Sequence, residues 1–327
     1  MTCSPRGDGS AGPHLSRRRF GQFAALGLAA ATGTGALGLA PPAAAAGDDA
    51  QAHYDRARRL AGNDPVLRAI AAALTPGVEF PRSPTRPAPL MLFDNLAFLS
   101  AGWVSAMAVL TRDGIVLIDA LTSPEEAENV IVQGLRTLGA RPETIEYVVA
   151  THGHGDHIGG AQYLADRYGT RVLMTPADWD LVARTRPDHA PERDLDITDG
   201  QRLTLGGTTI RLHCTPGHTP GTVSPVLPVR TGRELHTAML WGGANPPETL
   251  PELRTYLASL RTFRHRTRRA GADVELSNHP NDHGLQRAEQ LRADPTGPNP
   301  FVLGRRRTDR YLAVMEAMLR GRIADAS

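Results

Sequence analysis

Hydrophobic positions along the chain change texture at about residue 90. Before it, Leu60, Val66, Leu67, Ile70 and Leu74 recur at helical spacing and predict an amphipathic helical segment over 47–75. Pro81, Pro84, Pro87 and Pro89 then predict an extended linker, because proline fixes φ and removes a backbone donor. After it, 106–110 and 115–119 are short apolar runs around Thr111-Arg112-Asp113-Gly114, a hairpin signal. Ser123-Pro124-Glu125-Glu126 has the cap, the proline and the first-turn acids of a helix start. That helix turns Val130, Ile131, Leu135 and Leu138 inward and stops near Gly139. Further strands are predicted at 145–150, 171–175, 201–205, 208–214 and 273–277, with two more flanking Thr231-Gly232-Arg233. Helices are predicted after Gly159-Gly160, over 252–269 and over 309–323. This alternation predicts two helix-covered sheets within one α/β domain over 90–327, preceded by the helix and linker of 47–89.

Composition narrows the partners. Apolar residues make up 41% of 327, an ordinary globular mix. All 36 basic residues are arginine, scattered and offset by 34 acids, which disfavours nucleic acid as a partner. Ser16-Arg17-Arg18-Arg19-Phe20 precedes an Ala/Gly/Leu-rich run and the small residues Ala43 to Ala46, so residues 1–46 resemble a twin-arginine signal peptide. The expectation is export through the twin-arginine machinery, with cleavage near Ala46 and a periplasmic, cell-surface or extracellular destination. Gly27, Thr32, Gly33, Thr34 and Gly35 dilute the run too much for a stable membrane span. Cys3 leaves with the leader, so Cys214 alone remains and no intrachain disulfide is expected.

Candidate chemistry sits in Thr151-His152-Gly153-His154-Gly155-Asp156-His157, at the exit of a predicted buried strand. Strand exits are where α/β proteins place their sites. His152 and His154 are two apart and can project the same way from an extended turn. Imidazole and carboxylate suit Zn²⁺, and four such groups around one turn are too many for one tetrahedral ion with an open position. Two metals are therefore implied. His218, in Thr215-Pro216-Gly217-His218-Thr219, and His279, in Ser277-Asn278-His279-Pro280, also follow predicted strands and become ligand candidates beside the first cluster.

Together these motifs resemble the metallo-β-lactamase fold superfamily over residues 90–327. The resemblance implies a four-layer αβ/βα sandwich, with His152, His154 and His218 holding one zinc and Asp156, His157 and His279 the other. Many hydrolases of the superfamily carry a bridging aspartate, and other β-lactamases a cysteine, at a strand end that here reads Met239-Leu240-Trp241-Gly242-Gly243-Ala244-Asn245. With neither present, the ligand set is most similar to subclass B3 metallo-β-lactamases. The implied activity is an exported dinuclear zinc hydrolase of a small-molecule substrate, opening a cyclic amide, with Asp156 orienting the nucleophile as well as binding metal. Zinc lowers the pKa of a water it holds to about 7, so no Ser or Cys nucleophile is required, and no G-x-S-x-G motif occurs. Esterase, lactonase, thioesterase or phosphoesterase chemistry on the same fold is the alternative, because ligands do not choose the substrate. An iron-dependent redox relative is a third reading.

Other residues carry blander expectations. Asp119, by the same resemblance, supports the metal loop through hydrogen bonds, or is simply an acid at a helix-entry turn. Cys214 and His213 read as structural, His189, His236 and His265 lack ligand-like neighbours, and Asp282 and His283 read as solvated loop residues. The five arginines of 261–269 read as a solvated helix face. Trp241 is expected in the core, while Trp103 fits either the core or the mouth of the pocket.

Overall fold

Strand alternation sorts the apolar residues of this chain into three separate cores, and the computed structural model shows what each one joins. The structure describes residues 49–78, 85–279 and 283–327. The leader expected over 1–46, Pro81 and Pro84 of the linker, and Asp282 lie outside the described residues. Among the described residues, the first sheet runs in chain order through β1 (Leu90–Phe93), β2 (Leu96–Ser100), β3 (Ser105–Leu110), β4 (Ile115–Ile118), β5 (Ile145–Val149), β6 (Arg171–Met174) and β7 (Leu195–Asp196). The second contains β8 (Gln201–Leu205), β9 (Thr208–Cys214), β10 (Val223–Thr231), β11 (Glu234–Leu240) and β12 (Val274–Leu276), in the order β12-β11-β10-β9-β8.

Each inner strand turns alternate residues to opposite faces. In β3, Met107 and Val109 enter the core between the sheets, while Ala106 and Ala108 face the helices outside. In β4, Val116 and Ile118 take the inner face, and Ile115 and Leu117 the outer one. The second sheet sends Leu227, Val229, Ala238 and Leu240 inward to meet them, and Val226 and Met239 outward. Ile131, Leu135, Ile158 and Leu164 cover the first sheet. Tyr256, Leu260, Phe263, Leu312, Met315 and Leu319, from the helices Leu250–Ala270 and Arg305–Asp325, cover the second. The result is the four-layer αβ/βα sandwich expected from the motifs.

Three details differ from the sequence reading. Residues 47–75 form two helices rather than one, Ala50–Ala61 and Pro65–Ala73, broken where Gly62 takes φ 56° and Asp64 caps the second. These helices add Ala57, Leu67, Ile70 and Leu74 to the core outside the second sheet. The helix begun by Ser123 passes through one π-helical stretch, Ala127–Val132, before resuming at Gln133–Thr137. The arginines of 261–269 are not merely solvated. Arg261 and Arg264 pair with Glu316, Arg264 and Arg268 with Asp309, and Arg266 with Asp199. Sequence distance hid these acids, which arrive from the last helix and from the turn before β8.

Both sheets direct their functional exits to one end. β4 and β5 are parallel neighbours, and so are β11 and β12. β9 runs the same way as β11, because β10 is antiparallel to both. The segments after β4, β5, β9, β11 and β12 therefore converge.

Asp64 anchors the N-terminal helical layer. Its carboxylate accepts from Val66 N at 3.1 Å and Leu67 N at 3.3 Å, and Arg307 Nη2 donates to it at 2.7 Å. Asp64→Ala removes the cap and the ion pair together, and is expected to cost about 1–2 kcal/mol. A lower urea midpoint at unchanged m-value would show it; an unchanged midpoint would mean that this layer adds nothing to global stability.

Candidate metal centre

A buried carboxylate organises the convergent loops. Asp119, just past β4, is fully buried and adopts φ 63°. It accepts from Thr151 N at 2.7 Å, Thr151 Oγ1 at 3.0 Å, His157 Nδ1 at 2.8 Å and Asn278 Nδ2 at 3.0 Å. The first of the two readings of Asp119 is the one the geometry shows. A second buried carboxylate, Asp178, does the same for the other half of the site. It accepts from Gly153 N at 2.9 Å, Thr219 Oγ1 at 2.7 Å and Gly221 N at 2.8 Å, joining the loop after β5 to the loop after β9. Burial raises its pKa above the usual carboxylate value, against these three donors and nearby His154.

On this scaffold the six side chains singled out from the motifs meet in two groups, His152 with His154 and His218, and Asp156 with His157 and His279. His218 Nε2 lies 3.1 Å from His152 Nε2 and 3.1 Å from His154 Nδ1. His157 Nε2 lies 3.1 Å from His279 Nε2, and Asp156 Oδ2 lies 3.4 and 3.5 Å from those two nitrogens. The groups adjoin, with the His152 and His157 rings 4.0 Å apart at their centroids.

The outward nitrogens fix the rings. His218 Nδ1 donates to Asn245 O at 2.7 Å, His279 Nδ1 to Trp103 O at 2.9 Å, and His157 Nδ1 to Asp119. Carbonyl and carboxylate oxygens only accept, so each of these Nδ1 atoms carries a proton and Nε2 is the nitrogen turned inward, with a free lone pair in the neutral rings of His218 and His279. Electron pairs facing one another at 3.1 Å repel unless a cation sits between them. The donor chemistry therefore fits a borderline divalent ion in each group.

Electrostatics agrees with that fit. Burial, together with the neighbouring imidazoles, drives His152 far below its ordinary pKa. Burial takes His218 down to about 3 and His279 to about 4, so these rings are neutral near pH 7 and able to donate to a metal. Burial acts the same way on His157, but Asp119 and Asp156 outweigh it and raise that ring to about 10. The two carboxylates thus favour a positive charge at this spot. Asp156 is held ionised: burial would raise its pKa, but His157 and His279 keep it well below the usual range.

The strand end after β11 is closely packed. A Cβ on Gly243 would lie 2.4 Å from His218 Cβ, and one on Gly242 would lie 1.9 Å from Val223 O. Neither position takes a side chain without displacing His218 or the β10 backbone. Trp241 is buried nearby and donates from Nε1 to Gly243 O at 2.7 Å and to Tyr256 Oη at 2.6 Å. Trp103 is half-buried beside His279, at 5.9 Å between ring centroids. Of the histidines set aside, His236 bonds Asp273 at 2.8 Å, and His213 lies 3.0 Å from Arg266 Nη1; neither joins the cluster. Asp178, Asn278 and the carbonyls of Asn245 and Trp103 went unnoticed in the sequence. Asn278, next to His279, was within reach of motif reasoning, whereas backbone acceptors leave no residue signature.

Comparison with known proteins places this geometry. Residues 101–231 match the Metallo-beta-lactamase superfamily. A hydroxyacylglutathione hydrolase of Acidiphilium cryptum is 34% identical over 134 residues, 41% of this chain and 45% of that protein. One from Pseudomonas putida is 32% identical over 187 residues, 51% of this chain and 67% of that protein. The chain thus spans less than half the length of the first of these relatives and about two thirds of the second. Among solved structures, a subclass B3 metallo-beta-lactamase of Bradyrhizobium japonicum superposes with a TM-score of 0.59 at 24% identity, covering 72% of this chain and 93% of that one, a likeness of fold. With its two sheets, its convergent strand exits and this level of similarity, the chain belongs to the metallo-β-lactamase superfamily.

Proposed function

We propose that this protein is a dinuclear zinc hydrolase that opens a cyclic amide, with His152, His154 and His218 holding one ion and Asp156, His157 and His279 the other. The observation that carries the proposal is the inward convergence of two ligand groups in which His152, His157, His218 and His279 already bond their outer ring nitrogens elsewhere. Zinc in these positions supplies a nucleophile from water at neutral pH and a Lewis acid for the substrate carbonyl. The chain's own residues supply order. Asp119 holds the His157 ring, Asn245 O and Trp103 O hold His218 and His279, and Asp178 fixes the loops that carry His152, His154 and His218. Asp156 is ionised and only partly buried, so its carboxylate is placed to orient the attacking water by accepting a hydrogen bond from it. The half-buried Trp103 forms one apolar wall beside His279.

Two features support the β-lactamase-like substrate over others. The strand end after β11 offers neither a bridging aspartate nor a cysteine, and the leader motif supports action outside the cytoplasm. Thioester hydrolysis is the second reading, favoured by the names of the curated relatives. Nitrocefin and an acyl-glutathione thioester, offered side by side to the zinc-loaded protein, separate the two. Nitrocefin turnover that EDTA abolishes and zinc restores is the expected result; turnover of the thioester alone would transfer the proposal to the second reading.

Metal stoichiometry tests the ligand groups directly. Elemental analysis of the loaded protein is expected to give about two zincs per chain, one for each three-residue group. His218→Ala and His279→Ala should each leave about one, with the far-UV spectrum unchanged. Iron in place of zinc would support the redox reading instead.

Asp119→Asn keeps the shape of the buried group but removes the charge that orients His157. Zinc affinity is expected to fall about 10–100-fold, as is usual when the partner of a ligating histidine is lost. A competition titration against a chromogenic chelator measures it, and unchanged affinity would show that Asp119 only joins the loops.

A further inference from the structure

Arginines on the three helices outside the second sheet outnumber the carboxylates they pair with there, and none belongs to the candidate metal centre. Outside the second sheet, the helices Ala50–Ala61, Leu250–Ala270 and Arg305–Asp325 enclose a cavity of about 140 Å³. Arg56, Arg264, Arg320 and Glu316 line it, over an apolar floor that includes Leu60 and Ala317. Glu316 is the only carboxylate on the wall among the described residues, and both of its oxygens are occupied. Arg261 Nε and Arg320 Nη2 donate to Oε1 at 3.0 and 2.9 Å, and Arg264 Nη1 donates to Oε2 at 3.1 Å. Arg264 and Arg268 share Asp309 as well.

Charge is therefore in surplus. Five guanidiniums, Arg56, Arg261, Arg264, Arg268 and Arg320, stand around two carboxylates. Each guanidinium has five N–H donors. Arg320 gives one of its donors to Glu316, and Arg56 makes no ion pair among the described residues. A small concave space with unspent, planar, permanently charged donors and an apolar floor has the chemistry of an oxyanion receptor. Its size suits a single phosphate group, far below the ~300–1,000 Å³ of clefts that hold whole small molecules.

We infer that this cavity binds a phosphate group, held by Arg56, Arg264 and Arg320, which ties the N-terminal helix to the two helices behind it. The ligand is either free phosphate or the phosphate of an anionic lipid headgroup, and one pair of variants distinguishes them. Arg56 and Arg320 are on the surface side of the cavity, so the double variant R56Q/R320Q keeps the fold.

The test is thermal unfolding of the full chain in about 20 mM inorganic phosphate against chloride at equal ionic strength. The wild type should gain a few degrees of melting temperature and R56Q/R320Q should gain none. Flotation with phosphatidylglycerol vesicles is the second arm. Binding that the double variant loses, without stabilisation by free phosphate, assigns the site to a headgroup and equally supports the inference. Equal phosphate stabilisation in wild type and variant would place the anion elsewhere, the histidine cluster included, and overturn it. Absence of both effects would overturn it too. Zinc content and hydrolysis should be the same in R56Q/R320Q as in the wild type, so failure here is separable from failure of the hydrolase proposal.

Discussion

The candidate centre depends on burying one carboxylate where the two sheets meet. Asp119 follows β4, Thr151 follows β5, and Asn278 follows β12 of the other sheet. A buried anion without donors costs several kcal/mol, so the loops that satisfy Asp119 are held in place by its desolvation as much as by their own turns. Backbone bonds repeat the stitch between the sheets: Val223 N donates to Thr151 O at 2.7 Å, and Ser105 N to Asn278 O at 2.8 Å. The candidate ligand side chains thus extend from segments that have few alternative conformations.

That order comes at the expense of stability without a cation. The inward nitrogens of His152, His154 and His218 face one another at 3.1 Å and repel, yet the sandwich imposes the arrangement through ring contacts outside the cluster. Local rules of polar satisfaction are broken here and obeyed around it, the usual signature of a functional site. A ligand that binds only the folded state then adds its binding free energy to the fold.

How much of this was legible in the sequence follows from the range of each interaction. The short apolar runs 106–110 and 115–119 around Thr111-Arg112-Asp113-Gly114 predicted the β3–β4 hairpin, and strand exits predicted where histidines would cluster. β1 and β2 were missed because almost every residue there is apolar, and buried strands lack alternation. The break at Gly62 was written in Gly-Asn-Asp-Pro, a stop and a start, but the apolar spacing on either side concealed it. Asp178 drew no notice in the sequence, and it stands in the first turn of the helix Pro176–Thr185, where an acid is ordinary. Its part in joining two loops depends on Gly153, Thr219 and Gly221, up to 43 positions away. The partners of the 261–269 arginines are likewise contributed by packing, 41 to 67 positions away in the chain.

The two carboxylates that support the centre also make its halves unequal. Asp178 bonds backbone amides and a hydroxyl, so it shapes the loops of His152, His154 and His218 without touching a ring. The rings of His152 and His218 lean on neutral groups, Thr151 Oγ1 and Asn245 O. Asp119 bonds the His157 ring itself, and Asp156 stands among the ligand atoms on the other side of that ring. One half therefore offers three neutral imidazoles, while the other offers two imidazoles, a carboxylate, and a second carboxylate behind. Coulomb's law makes the second half the stronger attractor of a divalent ion, and solvent exposure of Asp156 tempers the difference. Among the described residues the two groups share no acidic ligand that would equalise them, so the asymmetry follows from where Asp119, Asp156 and Asp178 stand.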